Sequence, residues 1–375
     1  MNKFRYNFST DIEEESEKQL YGGDNPQRQE PFDPRQVDIV PRTMVISNIV
    51  DRLESGGIDL QPDFQRRGNL WNEKQQSRLI ESLIIRIPLP SFYFDGDDED
   101  SYVVVDGLQR LYAIKRFMVD KDLRLTELEY LTDLDGQGYD DLSKPMQRRI
   151  RENEIMVFLI RKGTPPRVRI SIFTRINTGG MVLTPAEIKN SVYRGQAAEL
   201  LRTLASSDEF RTVTRGKIHP ERMEDCEFVN RFMAFYLLNI EDYKGNLEDQ
   251  LNDAMLLLQS ATTEQIEEYK HDFVLAMQRC IRVFGDSAFR KIDKNGKYGR
   301  INKPLYESVS VVFARMSDAE FRGLLSNKEK WLKQYEELLH NEEFVGYITN
   351  GTAKVESVKG RYGMLETKLR ECFLE

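Results

Sequence analysis

The chain has 375 residues, with 40% hydrophobic residues, 31% charged residues and a formal net charge of −8, which is typical of globular cores under a charge-rich surface. The negative balance argues against a generally basic nucleic-acid coat, so any contact with nucleic acid needs a local basic patch. Three cysteines and three histidines, all far apart, argue against a disulfide framework or a His/Cys metal site and favour a cytoplasmic protein. No apolar run approaches the ~20 residues that span a bilayer, so we expect no membrane association.

Three segments differ in pattern along the chain. Residues 1–35 are polar and turn-rich and predict a flexible acidic N-terminal arm, which either stays free or docks on the body or on a partner subunit. Residues 36–205 mix strand and helix patterns, and residues 206–375 show almost only helical periodicity. We therefore predict an α+β protein, with an α/β N-terminal domain followed by an all-helical domain. The helices of this half have enough apolar faces to form both a hydrophobic core and a homodimer interface.

Local signals place the elements of the α/β part in chain order. Asn72 is a predicted N-cap, with Gln75 completing a capping box, and Thr184 followed by Pro185 is another predicted helix start. The remaining patterns predict a short helix that ends near Gly56, a strand at 58–60, a helix at 73–86, a strand at 91–94, an acidic hairpin turn at 95–100, a strand at 102–105, a helix at 109–119, a strand at 154–160 and a helix that starts near 169.

The most informative stretch is the predicted strand-to-helix turn at Asp106 and Gly107. A tight glycine turn that opens a helix directs free backbone N–H groups outward, which is how folds present donors to a phosphate. Arg110 falls in the first helical turn, where its guanidinium can bind the same oxyanion. The pattern predicts an anion site. The alternative is a strand-to-helix turn with a purely structural role, in which Arg110 pairs with a nearby carboxylate.

Two basic stretches are candidates for contacts with DNA. One is Gln147–Arg151, and the other runs from Arg161 to Arg169 and includes Lys162 and Arg167. The alternative for both is an ordinary solvated surface.

Five motifs occur in an order that resembles a known family. They are P-D-F-Q-R at 62–66, L-I-E-S-L at 79–83, P-L-P at 88–90, D-G-L-Q-R at 106–110 and F-T-R-I-N-T-G-G at 173–180. Together they resemble domain of unknown function 262, the N-terminal domain of GmrS/GmrSD-type modification-dependent restriction proteins. That family resembles the ParB/sulfiredoxin superfamily, whose G-x-x-R signature holds a nucleotide phosphate. The resemblance implies a ParB/sulfiredoxin-like fold over residues 36–205 and NTP binding and hydrolysis coupled to DNA restriction or antiviral defence.

Three residues of the turn are the predicted catalytic groups. Arg110 neutralises charge on the transferring phosphoryl group, and Gln109 orients a water molecule. Asp106 is the best carboxylate for holding a magnesium ion or positioning water, and its alternative is a turn residue that binds local N–H groups. The expected cofactor is therefore an NTP with Mg²⁺.

The predicted phosphate-binding or nucleotide-binding residues come from three segments. Gly107 and the N–H groups after it cradle the phosphate. The other candidates are Gln65 and Arg66 in a facing loop, and Arg175 and Asn177 further along the chain.

Two positions depart from the family pattern. Leu108 replaces an amide side chain, which bears on nucleotide choice and hydrolysis more than on phosphate binding, and Asp63 replaces a longer glutamate. Three functions therefore remain open: an NTP hydrolase, a ParB-like nickase that uses the same pocket, and a non-catalytic module that binds nucleotide or DNA. A partner nuclease or another defence-system subunit fits all three.

Overall fold

The computed structural model describes residues 11–13, 15–16, 33–60, 71–98, 101–161, 163–176, 184–293 and 295–373. The chain forms two compact units: an α/β unit, Phe32–Leu183, and a helical unit, Met1–Pro31 with Thr184–Glu375. The sequence placed this boundary after residue 205. The difference arises because the helix Gln196–Ala205 packs against later helices of the helical unit.

Strands and helices are interspersed along the α/β unit. Its strands are β1 (Ile39–Val45), β2 (Ile58–Asp59), β3 (Phe92–Asp98), β4 (Ser101–Asp106) and β5 (Glu154–Ile160). Its α-helices are α1 (Ile46–Glu54), α2 (Glu73–Ile84), α3 (Leu108–Ile114), α4 (Lys144–Arg151) and α5 (Pro166–Ile176). A π-helical turn, Lys115–Val119, extends α3. The capping box predicted at Asn72 is confirmed, since its side chain accepts the N–H of Gln75.

The five strands form one mixed sheet in the order β1-β5-β3-β4-β2. β1 and β5 are antiparallel, as are β3 and β4, whereas β3 runs parallel to β5 and β2 parallel to β4. Strand β1 was not predicted from sequence. The centre of this edge strand, Pro41 to Thr43, is exposed and lacks the apolar alternation of a typical strand, and proline is rare in strands.

One face of the sheet carries the hydrophobic core of the α/β unit. Because side chains alternate along a strand, Phe92, Phe94, Val157 and Leu159 all face this side. Helices α1 to α4 cover it with apolar residues such as Ile80, and the shared core fixes the end of β4 from which α3 departs.

The opposite face carries a buried ion pair. Asp95 on β3 is 4% exposed, and its Oδ2 lies 2.9 Å from Nη1 of Arg169 on α5. The sequence predicted a turn from residue 95, but β3 continues to Asp98 because Arg169 supplies a partner for the buried carboxylate.

The helical unit is a bundle with a small sheet. Its α-helices are α6 (Pro185–Val192), α7 (Gln196–Ala205), α8 (Asp208–Val213), α9 (Glu224–Leu237), α10 (Leu247–Ser260), α11 (Thr263–Phe284), α12 (Lys303–Arg315), α13 (Asp318–Ser326), α14 (Lys328–His340), α15 (Glu342–Tyr347) and α16 (Val355–Phe373). The prediction of an all-helical domain was wrong in one respect. Strands β6 (Arg290–Ile292) and β7 (Tyr298–Ile301) form an antiparallel pair too short to give a clear alternating pattern.

The described part of the N-terminal segment belongs to the helical unit, which corrects the predicted free arm at residues 11–13 and 15–16. Ile12 is 3% exposed and bridges to Ile301 at the end of β7. Glu15 pairs with Arg231 on α9 and accepts a hydrogen bond from the Thr352 hydroxyl at 3.1 Å. Of the three predicted states of this segment, free, docked on the body or docked on a partner subunit, the described residues show docking on the body.

Candidate functional site

The turn between β4 and α3 has the predicted strand–glycine–helix form. Gly107 is the N-cap of α3, with φ +100° and ψ 8°, in the left-handed region that favours glycine. A Cβ at this position would overlap the ring of Phe92, so glycine is also required by packing. The first intrahelical bond runs from the N–H of Leu111 to the carbonyl of Gly107, and the N–H groups of residues 108–110 precede it.

Arg110 is buried beneath this turn. Its Nη2 donates to the carbonyl of Ser91 at 3.1 Å and to Oδ2 of Asp106 at 2.8 Å, and its Nη1 donates to the carbonyl of Pro90. The guanidinium carbon lies 4.3 Å from the centre of the Phe92 ring. Burial lowers the pKa of Arg110, although the Asp106 carboxylate opposes this shift. The pair with Asp106 is the contact that the structural alternative predicted, and any phosphate must share the guanidinium with Asp106 and with the two carbonyls.

Gln109 connects the turn to the start of α2. Its Oε1 accepts the backbone N–H of Trp71 at 3.0 Å. Trp71 directly follows segment 61–70, and Leu60, which precedes that segment, comes directly after β2, the parallel neighbour of β4. Both described residues that flank the segment therefore lie next to β4 or α3. The amide oxygen that was expected to orient water is occupied by this backbone contact.

The other predicted site residues are not all placed. Gln65, Arg66 and Asn177 lie outside the described residues. Arg175 is exposed near the carboxyl end of α5. Of the predicted site residues, the structure brings together Asp106, Gly107, Gln109 and Arg110 in a single turn.

Asp106 is the candidate magnesium ligand of this turn. Its side chain is 31% exposed, and one of its two oxygens accepts the hydrogen bond from Arg110. Magnesium typically takes one or two protein carboxylates and completes its coordination with phosphate oxygens and water. Asp106 therefore fits as a single ligand for an ion carried by a nucleotide. Within the residues that the structure describes, no group of three or more His, Cys, Asp and Glu side chains is arranged to hold a metal ion.

Glu81 forms buried hydrogen bonds that the sequence did not predict. It is 3% exposed, and its carboxylate accepts the backbone N–H groups of Glu129 at 3.0 Å and of Tyr130 and Leu131 at 2.7 Å each. Burial raises the pKa of Glu81, but these three donors outweigh it and hold the pKa below its usual value. The sequence offered no signal for this contact, because the partners of Glu81 lie about fifty residues further along the chain.

Residues 46–194 match the family model described as "GmrSD restriction endonuclease, N-terminal domain". This segment is similar to a GmrSD-type N-terminal domain. The match starts at the first residue of α1, includes the whole turn from Asp106 to Arg110, and covers less than half of the chain. No curated protein and no solved structure matches the chain.

The GmrSD-type segment also contains the first predicted basic stretch, which lies on α4. Gln147 and Ile150 are buried and anchor this helix, whereas Arg148, Arg149 and Arg151 are exposed. Within the described part of the chain, these three guanidinium groups take part in no ion pair. The stretch therefore remains a candidate DNA contact.

The second basic stretch is not a continuous exposed surface. Arg169 pairs with buried Asp95, which corrects its placement in a DNA-facing patch, and Lys162 lies outside the described residues.

Among the helices that the structure describes, none combines the length and apolar character needed to span a membrane.

Proposed function

We propose that this chain is a component of a DNA restriction or anti-phage system and that its α/β unit, with a ParB/sulfiredoxin-like fold, binds a nucleoside triphosphate. The observation that carries the proposal is the GmrSD-type match, which encloses a left-handed glycine turn followed by a helix. Such a turn supplies backbone donors and the positive end of a helix to an anion.

In the proposed complex the phosphates lie at the N–H groups of residues 108–110. Arg110 supports the turn from beneath and adds positive charge, and Asp106 provides one oxygen to the Mg²⁺ that accompanies the nucleotide. Bound Mg²⁺ would offset the negative charge of the phosphates and of the Asp106 carboxylate. Glycine at position 107 lets the backbone approach the phosphate closely.

Binding is better supported than hydrolysis. The Oε1 atom of Gln109 already accepts the N–H of Trp71, and Leu108 stands where the family pattern has an amide side chain. A phosphate-release assay with each NTP and Mg²⁺ separates the outcomes. Several turnovers per protein molecule would establish a hydrolase, whereas saturable binding without release would establish a nucleotide-binding module. Metal-dependent nicking of plasmid without NTP would instead favour the nickase alternative.

The exposed arginines of α4 support a second proposed contact, with the backbone of duplex DNA. On a chain with a net charge of −8, these three neighbouring cations have no carboxylate partner among the described residues. Unpaired arginine side chains release counterions when they bind phosphates, which gives affinity without sequence preference. A nuclease subunit that acts with this chain would then find the DNA already held.

The double substitution Arg148→Ala/Arg151→Ala is expected to weaken duplex binding equally for unrelated sequences. The slope of log affinity against log salt concentration should fall by about two, one unit for each lost phosphate contact. Fluorescence anisotropy over a salt series measures this slope. The matched control is Arg202→Ala/Arg211→Ala, which removes the same charge from exposed sites on α7 and α8. Equal losses in the two double variants would contradict a specific role for α4.

A further inference from the structure

An aromatic pair, Tyr93 on β3 and Phe158 on β5, lies in the same cross-strand row as the candidate phosphate turn. Tyr93 is opposite Asp106 in the antiparallel register and beside Phe158 in the parallel register. Neighbouring strands are about 4.8 Å apart, so the row Phe158–Tyr93–Asp106 extends about 10 Å across the sheet. That length suits the distance from a nucleotide base to its phosphates.

The aromatic pair lies on the face of the sheet away from the core. Phe92 and Phe94, the neighbours of Tyr93 along β3, are fully buried in the core, so Tyr93 is directed to the opposite side. The two rings stack with centroids 5.0 Å apart and an angle of 15° between their planes. Both rings are partly exposed, and Met156, two residues before Phe158 on the same face, is 41% exposed.

Helix α5 packs over this face beyond Tyr93. Its Arg169 reaches Asp95, which lies two residues after Tyr93 on β3 and further from Asp106. The end of the face at Asp106 combines a carboxylate, a candidate backbone anion site and two stacked rings that are partly exposed. A flat apolar ring edged by phosphate-binding groups is the surface that a nucleobase needs for stacking.

We propose that the aromatic pair binds the base of the nucleotide whose phosphates occupy the turn at Gly107. This inference rests on the proposed function, because it assigns the base-binding part of the same site. Stacking tolerates any base, since every base has a flat π-face, so the aromatic pair adds affinity for nucleotides without selecting strongly among them. Removal of one ring should weaken binding of the nucleotide but not of its phosphates alone.

The test compares an NTP with inorganic triphosphate, each with Mg²⁺, by calorimetry. In the unaltered protein the NTP should bind about tenfold or more tightly than triphosphate. Tyr93→Leu and, separately, Phe158→Leu should weaken NTP binding by roughly 5- to 100-fold and leave triphosphate binding unchanged. Tyr93→Phe keeps the ring and should keep the affinity. Tyr130→Leu is the matched control, because Tyr130 is 67% exposed outside this row.

The outcomes separate this inference from the proposed function. Equal affinities for NTP and triphosphate, or a leucine variant that weakens both alike, would overturn base stacking and leave the phosphate site standing. Absence of binding to either probe in the unaltered protein would overturn both. Binding of single-stranded oligonucleotide but not NTP, lost in Tyr93→Leu, would assign the rings to DNA instead. A Tyr93→Trp variant whose fluorescence is unchanged by saturating NTP would also contradict the inference.

Discussion

Replacing Arg110 with alanine is expected to destabilise the α/β unit by about 3 to 5 kcal/mol, because the loss of this buried cation leaves its partners unpaired. The carbonyls of Pro90 and Ser91 and the carboxylate of Asp106 would lose their donor, and Phe92 would lose the guanidinium above its ring. Amide hydrogen exchange of β3 and β4 measures the loss within this unit, where a single unfolding midpoint of a two-unit chain would not.

The control for this prediction is Arg148→Ala, which removes an exposed arginine from the same unit. Its effect on exchange in β3 and β4 should stay within about 0.5 kcal/mol. Arg110→Lys should be intermediate, because an ammonium keeps the charge but cannot donate in the same fork. If Arg110→Ala leaves exchange in β3 and β4 unchanged, the structural role assigned to these contacts is wrong. Loss of nucleotide binding in Arg110→Ala alone therefore does not assign Arg110 to the phosphate.

Replacing Glu15 with alanine is expected to destabilise the helical unit by about 3 to 5 kcal/mol. Arg231 is almost fully buried and pairs with Glu15, with Glu227 at 3.3 Å and with Glu307 at 3.3 Å. Burial lowers the pKa of Arg231, but these carboxylates outweigh it and raise the pKa, so the guanidinium stays charged. Without Glu15 the arginine loses one of the carboxylates that compensate its burial.

Amide exchange of α9 and α12 reports this loss, since α9 carries Arg231 and α12 carries Glu307. Glu15→Gln keeps an acceptor and should be less damaging. The matched control is Glu337→Ala, an exposed position in the middle of α14, where alanine is a good helix former. Equal exchange in Glu15→Ala and Glu337→Ala would show that the contact of Glu15 with Arg231 contributes nothing to the unit.

Features set by neighbouring residues were predictable from the sequence. The capping boxes at Asn72 and Thr184 follow from side chains three residues apart, and both helices start there. Gly107 was identified for the same reason, because a strand, a glycine turn and a helix are contiguous signals.

Features set by distant partners were not predictable. Asp95 looked like the start of an acidic turn until Arg169, more than seventy residues away, supplied its partner. Glu81 binds backbone N–H groups about fifty residues away, and Ile12 docks beside Ile301. A sequence also could not decide how Arg110 divides its donors, since its acceptors are backbone carbonyls that precede β3 and carry no residue signature.

We propose above all that the turn at Gly107 binds the phosphates of a nucleotide. The most direct measurement is a titration of the full chain with Mg²⁺ and each NTP, in which calorimetry is combined with amide hydrogen exchange of residues 107–111. We expect saturable binding and slower exchange at the N–H groups of residues 108–110. No binding to any NTP, or binding that leaves exchange at these N–H groups unchanged, would contradict it.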